Sequence, residues 1–179
     1  MKTDRRHKDD WYPTPPEAVE ALLSVETFSP VIWEPAAGDG SLAEVLQEYQ
    51  YSTICSDLND YGFCEAKVDF LLESERRADS LITNPPYRLA DDFVRHAIEL
   101  GCTKHAWLLR LAFLEGGKRH ETLFQKHPPC RVHVFSKRLT IWRGDFIRSN
   151  EPVMSKGTIA YAWFVWEAGF AGNPEVSWI

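Results

Sequence analysis

Short apolar segments alternate with stretches of helical spacing along this chain, and no other feature constrains its fold as strongly. Strands that alternate with helices form a parallel sheet, because each crossover helix covers a face of the sheet before the next strand begins. The helical stretches are 41–49, 91–101 and 118–127. The apolar runs that fit strands are 31–34, 52–57, 67–70, 79–83, 105–113, 131–136 and 159–167. The pattern therefore predicts an α/β fold with seven strands in one sheet.

The composition indicates one globular domain over residues 1–179, with 44% hydrophobic and 26% charged residues. No run approaches the about 20 apolar residues that cross a bilayer, and the charged N-terminus lacks the apolar core of a secretory signal. We therefore expect a cytoplasmic protein without a membrane partner. The four cysteines lack zinc-ligand spacing, so no metal site is predicted. A disordered charged tail is predicted at 1–10, and a long loop that contacts the substrate at 137–157.

A glycine turn follows the first predicted strand, in the segment EPAAGDG at 34–40. Gly38 and Gly40 allow a sharp turn and let the backbone approach a ligand beyond the strand ends. Asp57 ends the second predicted strand, about 20 residues further along, where a carboxylate can accept both ribose hydroxyls of a nucleoside. Asp69 ends the third and can accept the amine of an adenine, with Phe70 packing against the base. Each feature alone also fits an ordinary turn or cap, but together they favour a nucleoside site.

The segment Asn84-Pro85-Pro86-Tyr87 ends the fourth predicted strand and carries the most specific chemistry. A nitrogen conjugated to a ring or carbonyl is a poor nucleophile, because its lone pair is delocalised. The Asn84 side-chain oxygen and the Pro85 carbonyl can each accept one of its N–H bonds, which directs the lone pair at a methyl donor and stabilises the developing charge. Tyr87 offers a flat face on which a substrate ring can stack.

These motifs, in the order Tyr12-Pro-Thr-Pro-Pro, EPAAGDG, Asp57, Val68-Asp69-Phe70-Leu71 and Asn84-Pro85-Pro86-Tyr87, resemble those of amino-group, adenine-specific DNA methyltransferases. The small forms found in phages and prophages are the most similar, and the resemblance covers roughly residues 11–90. It implies a Rossmann-like class I methyltransferase domain with helices on both faces of the sheet and an antiparallel last strand.

The resemblance also implies S-adenosylmethionine as the cofactor, with Tyr12 and Thr14 near its methionine end. The catalytic residues it implies are Asn84, Pro85, Pro86 and Tyr87. The predicted cofactor-binding residues are Tyr12, Thr14, Glu34, Pro35, Ala36, Gly38, Gly40, Asp57, Leu58, Asp69, Phe70 and Asn84.

The charge distribution favours a nucleic-acid partner, although the whole chain carries a net charge of −6. The segment 104–156 holds eleven Lys or Arg and four Asp or Glu, a net charge of +7, which leaves −13 for the rest. A basic half beside an acidic half suggests that one face binds a polyanion, with solvated surface charge as the alternative. The predicted contacts are Arg110, Lys118, Arg119, Lys137, Arg138, Trp142, Arg143 and Arg148.

The sequence leaves the substrate open among several classes. DNA is favoured, with the target base flipped into the pocket at 84–87. Adenine in RNA and a glutamine side chain in a protein are the enzymatic alternatives, because the same motif serves those reactions in related families. A cofactor-binding phage protein without catalytic activity is a further alternative. The sequence has no separate target-recognition segment, so we expect a short or nearly unselective recognition site.

Overall fold

The computed structural model describes residues 12–142 and 159–179, so the predicted tail and most of the predicted loop lie outside them. The α-helices within these residues are α1 (Pro16–Leu23), α2 (Ser41–Glu48), α3 (Ala90–Glu99) and the single turn α4 (Gly117–Arg119). A π-helical segment, His120–Phe124, continues α4, so the helix predicted at 118–127 is α-helical only in its first residues. The strands are β1 (Val31–Glu34), β2 (Ser52–Asp57), β3 (Glu65–Ala66), β4 (Ser80–Thr83), β5 (Lys104–Arg110), β6 (Arg131–Val134), β7 (Tyr161–Glu167) and β8 (Glu175–Trp178).

All eight strands form one sheet in the order β3-β2-β1-β4-β5-β7-β6-β8. Every neighbouring pair is parallel except those of β7, which runs antiparallel to both β5 and β6. Alternate side chains of a strand face opposite sides of the sheet. On β5, Trp107 and Leu109 therefore pack under α3 in one core, while Ala106 and Leu108 pack with α1 and α2 in the other. The predicted α/β fold with helices on both faces is confirmed. The strand predicted to be the last, at 159–167, is the antiparallel β7, but the parallel strand β8 follows it.

The predicted third strand at 67–70 is wrong. Strand β3 is only the two residues Glu65–Ala66, because Lys67 adopts a φ of +64°, which ends an extended strand. Asp69 then accepts a hydrogen bond from the Leu71 backbone N–H at 3.0 Å and caps a 3-10 turn, Phe70–Leu72. Asp69 therefore follows a loop and not a strand end.

The strand count is eight where the sequence predicted seven. The eighth strand, β8, is a short edge strand parallel to β6, and its Val176 and Trp178 side chains are 53% and 71% exposed. Strand β8 has no run of buried apolar residues, so its sequence gives little sign of a strand. Helix α1 is also absent from the predicted elements. The predicted strand at 105–113 is too long, since β5 ends at Arg110 and a 3-10 turn follows at Leu111–Leu114.

Two cations of the basic segment are paired at the amino-terminal edge of the parallel strands. Lys104 begins β5, and its Nζ lies 2.6 Å from Glu26 Oε2 and 3.2 Å from Glu167 Oε1. Arg131 begins β6 and pairs with the same two carboxylates. His133 Nε2 lies 2.8 Å from Glu26 Oε1. Lys104 and Arg131 therefore neutralise acidic residues at the amino ends of the strands, whereas the predicted site lies at the carboxyl ends. This pairing weakens the inference of one continuous basic face.

We expect Glu26→Gln to destabilise the fold in a pH-dependent way. Burial alone raises the pKa of Glu26, but hydrogen bonds from His133, Arg131 and Lys104 outweigh it and lower the pKa from its ordinary 4.5 to about 2. A lowered pKa contributes stability above about pH 4.5, here about 3 kcal/mol, which is lost as the pH falls towards 2. Urea unfolding at several pH values measures this free energy. Glu20→Gln, on an exposed residue of α1, is the control. A wild-type advantage over Glu26→Gln that is equal at pH 7 and pH 3 contradicts this account.

Among the described residues, no helix is long and apolar enough to cross a membrane. The same residues contain no cluster of three or more His, Cys, Asp or Glu side chains arranged to hold a metal ion.

Candidate active site

A cavity of about 280 Å³ lies at the carboxyl ends of β1, β2 and β4. In a parallel sheet these ends open onto one crevice, where ligands of α/β proteins bind. The segment before α1 and the 3-10 turn at Phe70–Leu72 close its sides. The predicted cofactor and catalytic residues that line it are Tyr12, Thr14, Glu34, Pro35, Ala36, Gly38, Asp57, Leu58, Asp69, Phe70, Asn84, Pro85, Pro86 and Tyr87.

The glycine turn between β1 and α2 uses its two glycines for different purposes. Gly38 has a φ of +55°, lines the cavity, and donates its backbone N–H to Asp57 Oδ2 at 2.9 Å. Gly40 has a φ of +90° and does not line the cavity. A Cβ on Gly40 would lie 2.4 Å from the ring of Phe63. The prediction that Gly40 approaches the ligand is therefore corrected, because its missing side chain makes room for Phe63.

We expect Gly40→Ala to destabilise the protein more than Gly62→Ala. Both glycines have positive φ, at +90° and +82°, so alanine at either position is destabilised by a backbone strain of about 1–2 kcal/mol. A Cβ at Gly62 meets nothing within 4 Å, whereas one at Gly40 must displace an aromatic ring. The difference between the two variants in urea unfolding isolates the steric cost. Equal losses of stability contradict the Phe63 contact.

Asp57 ends β2 and holds the glycine turn through its carboxylate. Its Oδ2 accepts from Gly38 N–H, and its Oδ1 accepts from Asn59 N–H at 2.7 Å. Burial raises the pKa of Asp57, and these two backbone hydrogen bonds oppose the rise. Each carboxylate oxygen has a second lone pair. Asp57 can therefore accept ligand hydroxyls while it keeps both backbone contacts.

Glu34, the last residue of β1, places a buried carboxyl group at the cavity wall. The side chain is 2% exposed, and its Oε2 has no hydrogen-bond partner among the described residues. Burial raises the pKa of Glu34 well above its ordinary value, and the nearby Asp57 and Asp39 raise it further. A buried oxygen without a partner costs free energy. The atom is suited to accept a hydrogen bond from an ammonium or hydroxyl group of a ligand.

Phe70 and Leu58 border the cavity in different ways. Phe70 is a core residue, and its ring centroid lies 5.2 Å from that of Trp33 and 4.9 Å from that of Phe93. Leu58, by contrast, is 58% exposed at the rim. Phe70 can therefore present part of its ring to a base, while Leu58 can cover a ligand from the solvent side.

Asn84, directly after β4, has its amide group oriented by the segment before α1. Its Nδ2 donates to the Tyr12 carbonyl at 3.1 Å and to Thr14 Oγ1 at 3.2 Å. A carbonyl can only accept, so the NH₂ side must face Tyr12. The amide oxygen Oδ1 is then the atom available to accept from a substrate amine. Tyr12 and Thr14 thus position Asn84, a role that the sequence interpretation did not assign to them.

The Tyr87 ring packs among aromatic side chains and one arginine. Its centroid lies 6.2 Å from that of Tyr12 and 5.8 Å from that of Tyr161. The guanidinium carbon of Arg110 lies 5.0 Å from the same ring centroid. Burial, and then the neighbouring Tyr161, raises the pKa of the Tyr87 hydroxyl well above its ordinary value. Tyr87 is therefore held as a neutral, oriented aromatic surface at the cavity.

No protein-family model and no curated protein matches the sequence, but solved structures share its fold. A modification subunit of a putative type I restriction enzyme from Vibrio vulnificus gives a TM-score of 0.58 at 11% identity, over 98% of this chain and 48% of the subunit. The chain thus spans about half the length of that protein. A SAM-dependent O-methyltransferase from Thermotoga maritima gives 0.54 at 14% identity, over 93% and 70%. A dimethyladenosine transferase from Plasmodium falciparum gives 0.53 at 11% identity, over 88% and 62%.

The chain has the methyltransferase fold. At these identities the likeness shows the fold alone, so the chemistry has to be inferred from the side chains of the cavity. The cavity of this methyltransferase fold also includes side chains that the sequence interpretation missed. Arg88 was detectable, since it directly follows Tyr87. Asp39 was detectable too, since it lies between the two glycines of the turn. Others give no comparable signal, because they reach the cavity from separate loops and helices; examples are Asn59, Tyr61 and Phe93.

The six predicted nucleic-acid contacts within the described residues differ in their surroundings. Arg110 reaches Tyr87, and Lys118 is exposed on α4. Arg119 already donates to the carbonyls of Phe113 and Glu115, at 2.8 and 2.7 Å. Lys137 and Arg138 are exposed and Trp142 is half-buried, whereas Arg143 and Arg148 lie outside the described residues.

Proposed function

We propose that this protein transfers a methyl group from S-adenosylmethionine to the exocyclic amino group of adenine in DNA. The observation that carries the proposal is the fixed amide of Asn84, whose NH₂ group is bound by Tyr12 and Thr14. Its oxygen then remains as an acceptor next to a cavity with acidic walls. An acceptor held in this way suits an amine that gains positive charge during the reaction.

The cavity residues fit the proposed cofactor. Glu34 Oε2 is a buried acceptor without a partner among the described residues, and it suits the ammonium group of the methionine part. We assign the ribose hydroxyls to Asp57 and the adenine amine to Asp69, because both carboxylates line the cavity. The cavity, about 280 Å³, lies just below the ~300–1,000 Å³ range typical of ligand pockets. The bound cofactor supplies a methyl group activated by a sulfonium charge.

The residues of the chain act on the substrate nitrogen. Asn84 Oδ1 and the Pro85 carbonyl accept its two N–H bonds, which turns the lone pair towards the methyl carbon. As the nitrogen–carbon bond forms and the sulfur–carbon bond breaks, positive charge develops on the nitrogen between these two acceptors. A proton is then released to water, which leaves the methylated amine neutral. Tyr87 holds the ring of the substrate by stacking.

We favour nucleic acid over protein as the substrate, because the guanidinium of Arg110 lies against Tyr87, the residue proposed to stack on the base. Arg110 is exposed at the end of β5 and covers part of Tyr87. Two of the structures with a similar fold are described as a modification subunit of a restriction enzyme and as a dimethyladenosine transferase. Their activities support a nucleic-acid substrate, and we propose DNA ahead of RNA.

Transfer of tritiated methyl groups from S-adenosylmethionine to duplex DNA, single-stranded DNA, RNA and protein tests this function. We expect label in DNA, recovered as N6-methyladenine by nucleoside mass spectrometry. Label in RNA or in glutamine identifies one of the alternative substrates. Cofactor binding without any transfer identifies a non-catalytic protein. Asn84→Ala, assayed in parallel, shows that the label depends on this site and not on a contaminating enzyme.

A further inference from the structure

Two arginines beside Tyr87 differ from five other described arginines in lacking a protein acceptor. Neither Arg88 nor Arg110 has a hydrogen bond or carboxylate partner within residues 12–142 and 159–179. Five other arginines donate to carboxylates or carbonyls: Arg76, Arg77, Arg95, Arg119 and Arg131. Arginine carries five N–H donors in a planar fork, so an unpaired one is free to bind an anion.

Arg110 is held against Tyr87 by the sheet itself. It ends β5 and lies opposite Tyr161 of β7 in the antiparallel register, so the two side chains share a face of the sheet. Its guanidinium lies over the Tyr87 ring, with 5.0 Å between the carbon and the ring centroid. A contact of this kind at an exposed site is worth only about 0.5–1 kcal/mol. It orients the guanidinium and leaves its N–H donors open.

Arg88 lies on the other chain segment that holds Tyr87. It is the middle residue of the 3-10 turn Tyr87–Leu89, which is closed by a 2.8 Å hydrogen bond from Leu89 N–H to the Pro86 carbonyl. The residue is exposed and lines the rim of the cavity. Because the half-buried Tyr87 ring is held by its aromatic neighbours, Arg88 lies at the entrance of the cavity.

We propose that Arg88 and Arg110 bind the phosphates on either side of the flipped nucleotide whose base stacks on Tyr87. The inference rests on the proposed function and specifies its substrate as a nucleotide within a strand. A nucleotide in a strand has a phosphate on both sides, whereas a free nucleoside or a glutamine side chain has none. Arginine binds phosphate through charge-assisted, bidentate hydrogen bonds. These contacts position the target base and carry no sequence information.

Binding of fluorescent duplex DNA by Arg88→Gln and Arg110→Gln tests the proposal, with S-adenosylhomocysteine present and salt varied. Each lost phosphate contact should reduce the slope of log affinity against log salt by about one, and lower affinity roughly tenfold near 0.1 M salt. Lys126→Gln, which removes an equally exposed charge outside the cavity, is the control and should change the slope much less. A second probe is an oligonucleotide in which neutral methylphosphonates replace the phosphates next to the target adenine. The wild type should bind this oligonucleotide more weakly than the unmodified one, and each arginine variant should lose less affinity than the wild type does.

The outcomes separate this proposal from the proposed function. If the wild type neither binds nor methylates nucleic acid, the proposed function fails and the phosphate contacts fail with it. If the wild type methylates DNA but both arginine variants keep its affinity and salt slope, the phosphate contacts alone are refuted. If the arginine variants lose only as much affinity and salt slope as Lys126→Gln does, the phosphate contacts are also refuted, because equal losses indicate a general charge effect. Unfolding in urea establishes that the variants are folded.

Discussion

Replacing Asn84 with alanine should slow methyl transfer roughly 100- to 1000-fold, as the loss of one oriented polar partner of a developing charge typically does. The physical reason is the acceptor Oδ1, whose direction is fixed because Nδ2 is bound to the Tyr12 carbonyl and to Thr14 Oγ1. The affinity for S-adenosylmethionine should change far less, since most of the cavity wall comes from other residues. Single-turnover methyl transfer measures the first quantity, and calorimetry measures the second.

The variant Asn84→Asp distinguishes the role of the amide oxygen of Asn84 from the role of its NH₂ group. An aspartate keeps an oxygen towards the substrate amine but places another towards the Tyr12 carbonyl, where two acceptors repel. We therefore expect Asn84→Asp to retain more activity than Asn84→Ala and to fall short of the wild type. Asn173→Ala, on an exposed asparagine outside the cavity, is the control and should keep the transfer rate. Near-wild-type turnover by Asn84→Ala contradicts the assigned role.

The local part of this site could be predicted from the sequence. The glycine turn follows β1, Asp57 ends β2 and Asn84 follows β4, and the carboxyl ends of these parallel strands meet at one edge of the sheet. Gly40 shows the limit of such reasoning. Its positive φ follows from the turn, but the contact that excludes a side chain comes from Phe63, which no local pattern places there.

The long-range part could not be predicted, because it depends on partners that are distant in the chain. The Tyr12 carbonyl orients the amide of Asn84 across 72 positions, and a backbone carbonyl leaves no trace in the amino-acid type. The count of charges likewise includes Lys104 and Arg131, whose pairing with Glu26 spans 78 and 105 positions. Charge along a sequence therefore overstates the charge that a surface presents when some of it is neutralised within the fold.

Replacing Asp57 with alanine should weaken S-adenosylmethionine binding by about 2–4 kcal/mol, the cost of losing a charged acceptor from a buried site. This corresponds to roughly 30- to 700-fold in affinity. The structure adds a second consequence, since the Gly38 N–H loses its acceptor and the glycine turn loses a support. We therefore expect Asp57→Ala to lower stability as well. Asp60→Asn, on an exposed acid of the same loop, is the control and should alter neither quantity strongly.

A cofactor analogue without the ribose hydroxyls separates direct binding by Asp57 from support of the turn. If Asp57 accepts those hydroxyls, S-adenosylhomocysteine should bind the wild type more tightly than its 2′,3′-dideoxy analogue does. Asp57→Ala should bind the two ligands with similar affinity, because the interaction is already lost and the two changes are not additive. If Asp57 only holds Gly38, the variant weakens both ligands by the same factor and the preference for the ribose form remains. Calorimetry with both ligands and both proteins gives the four affinities. A preserved preference in Asp57→Ala refutes the ribose assignment, even if the affinity for S-adenosylmethionine falls as expected.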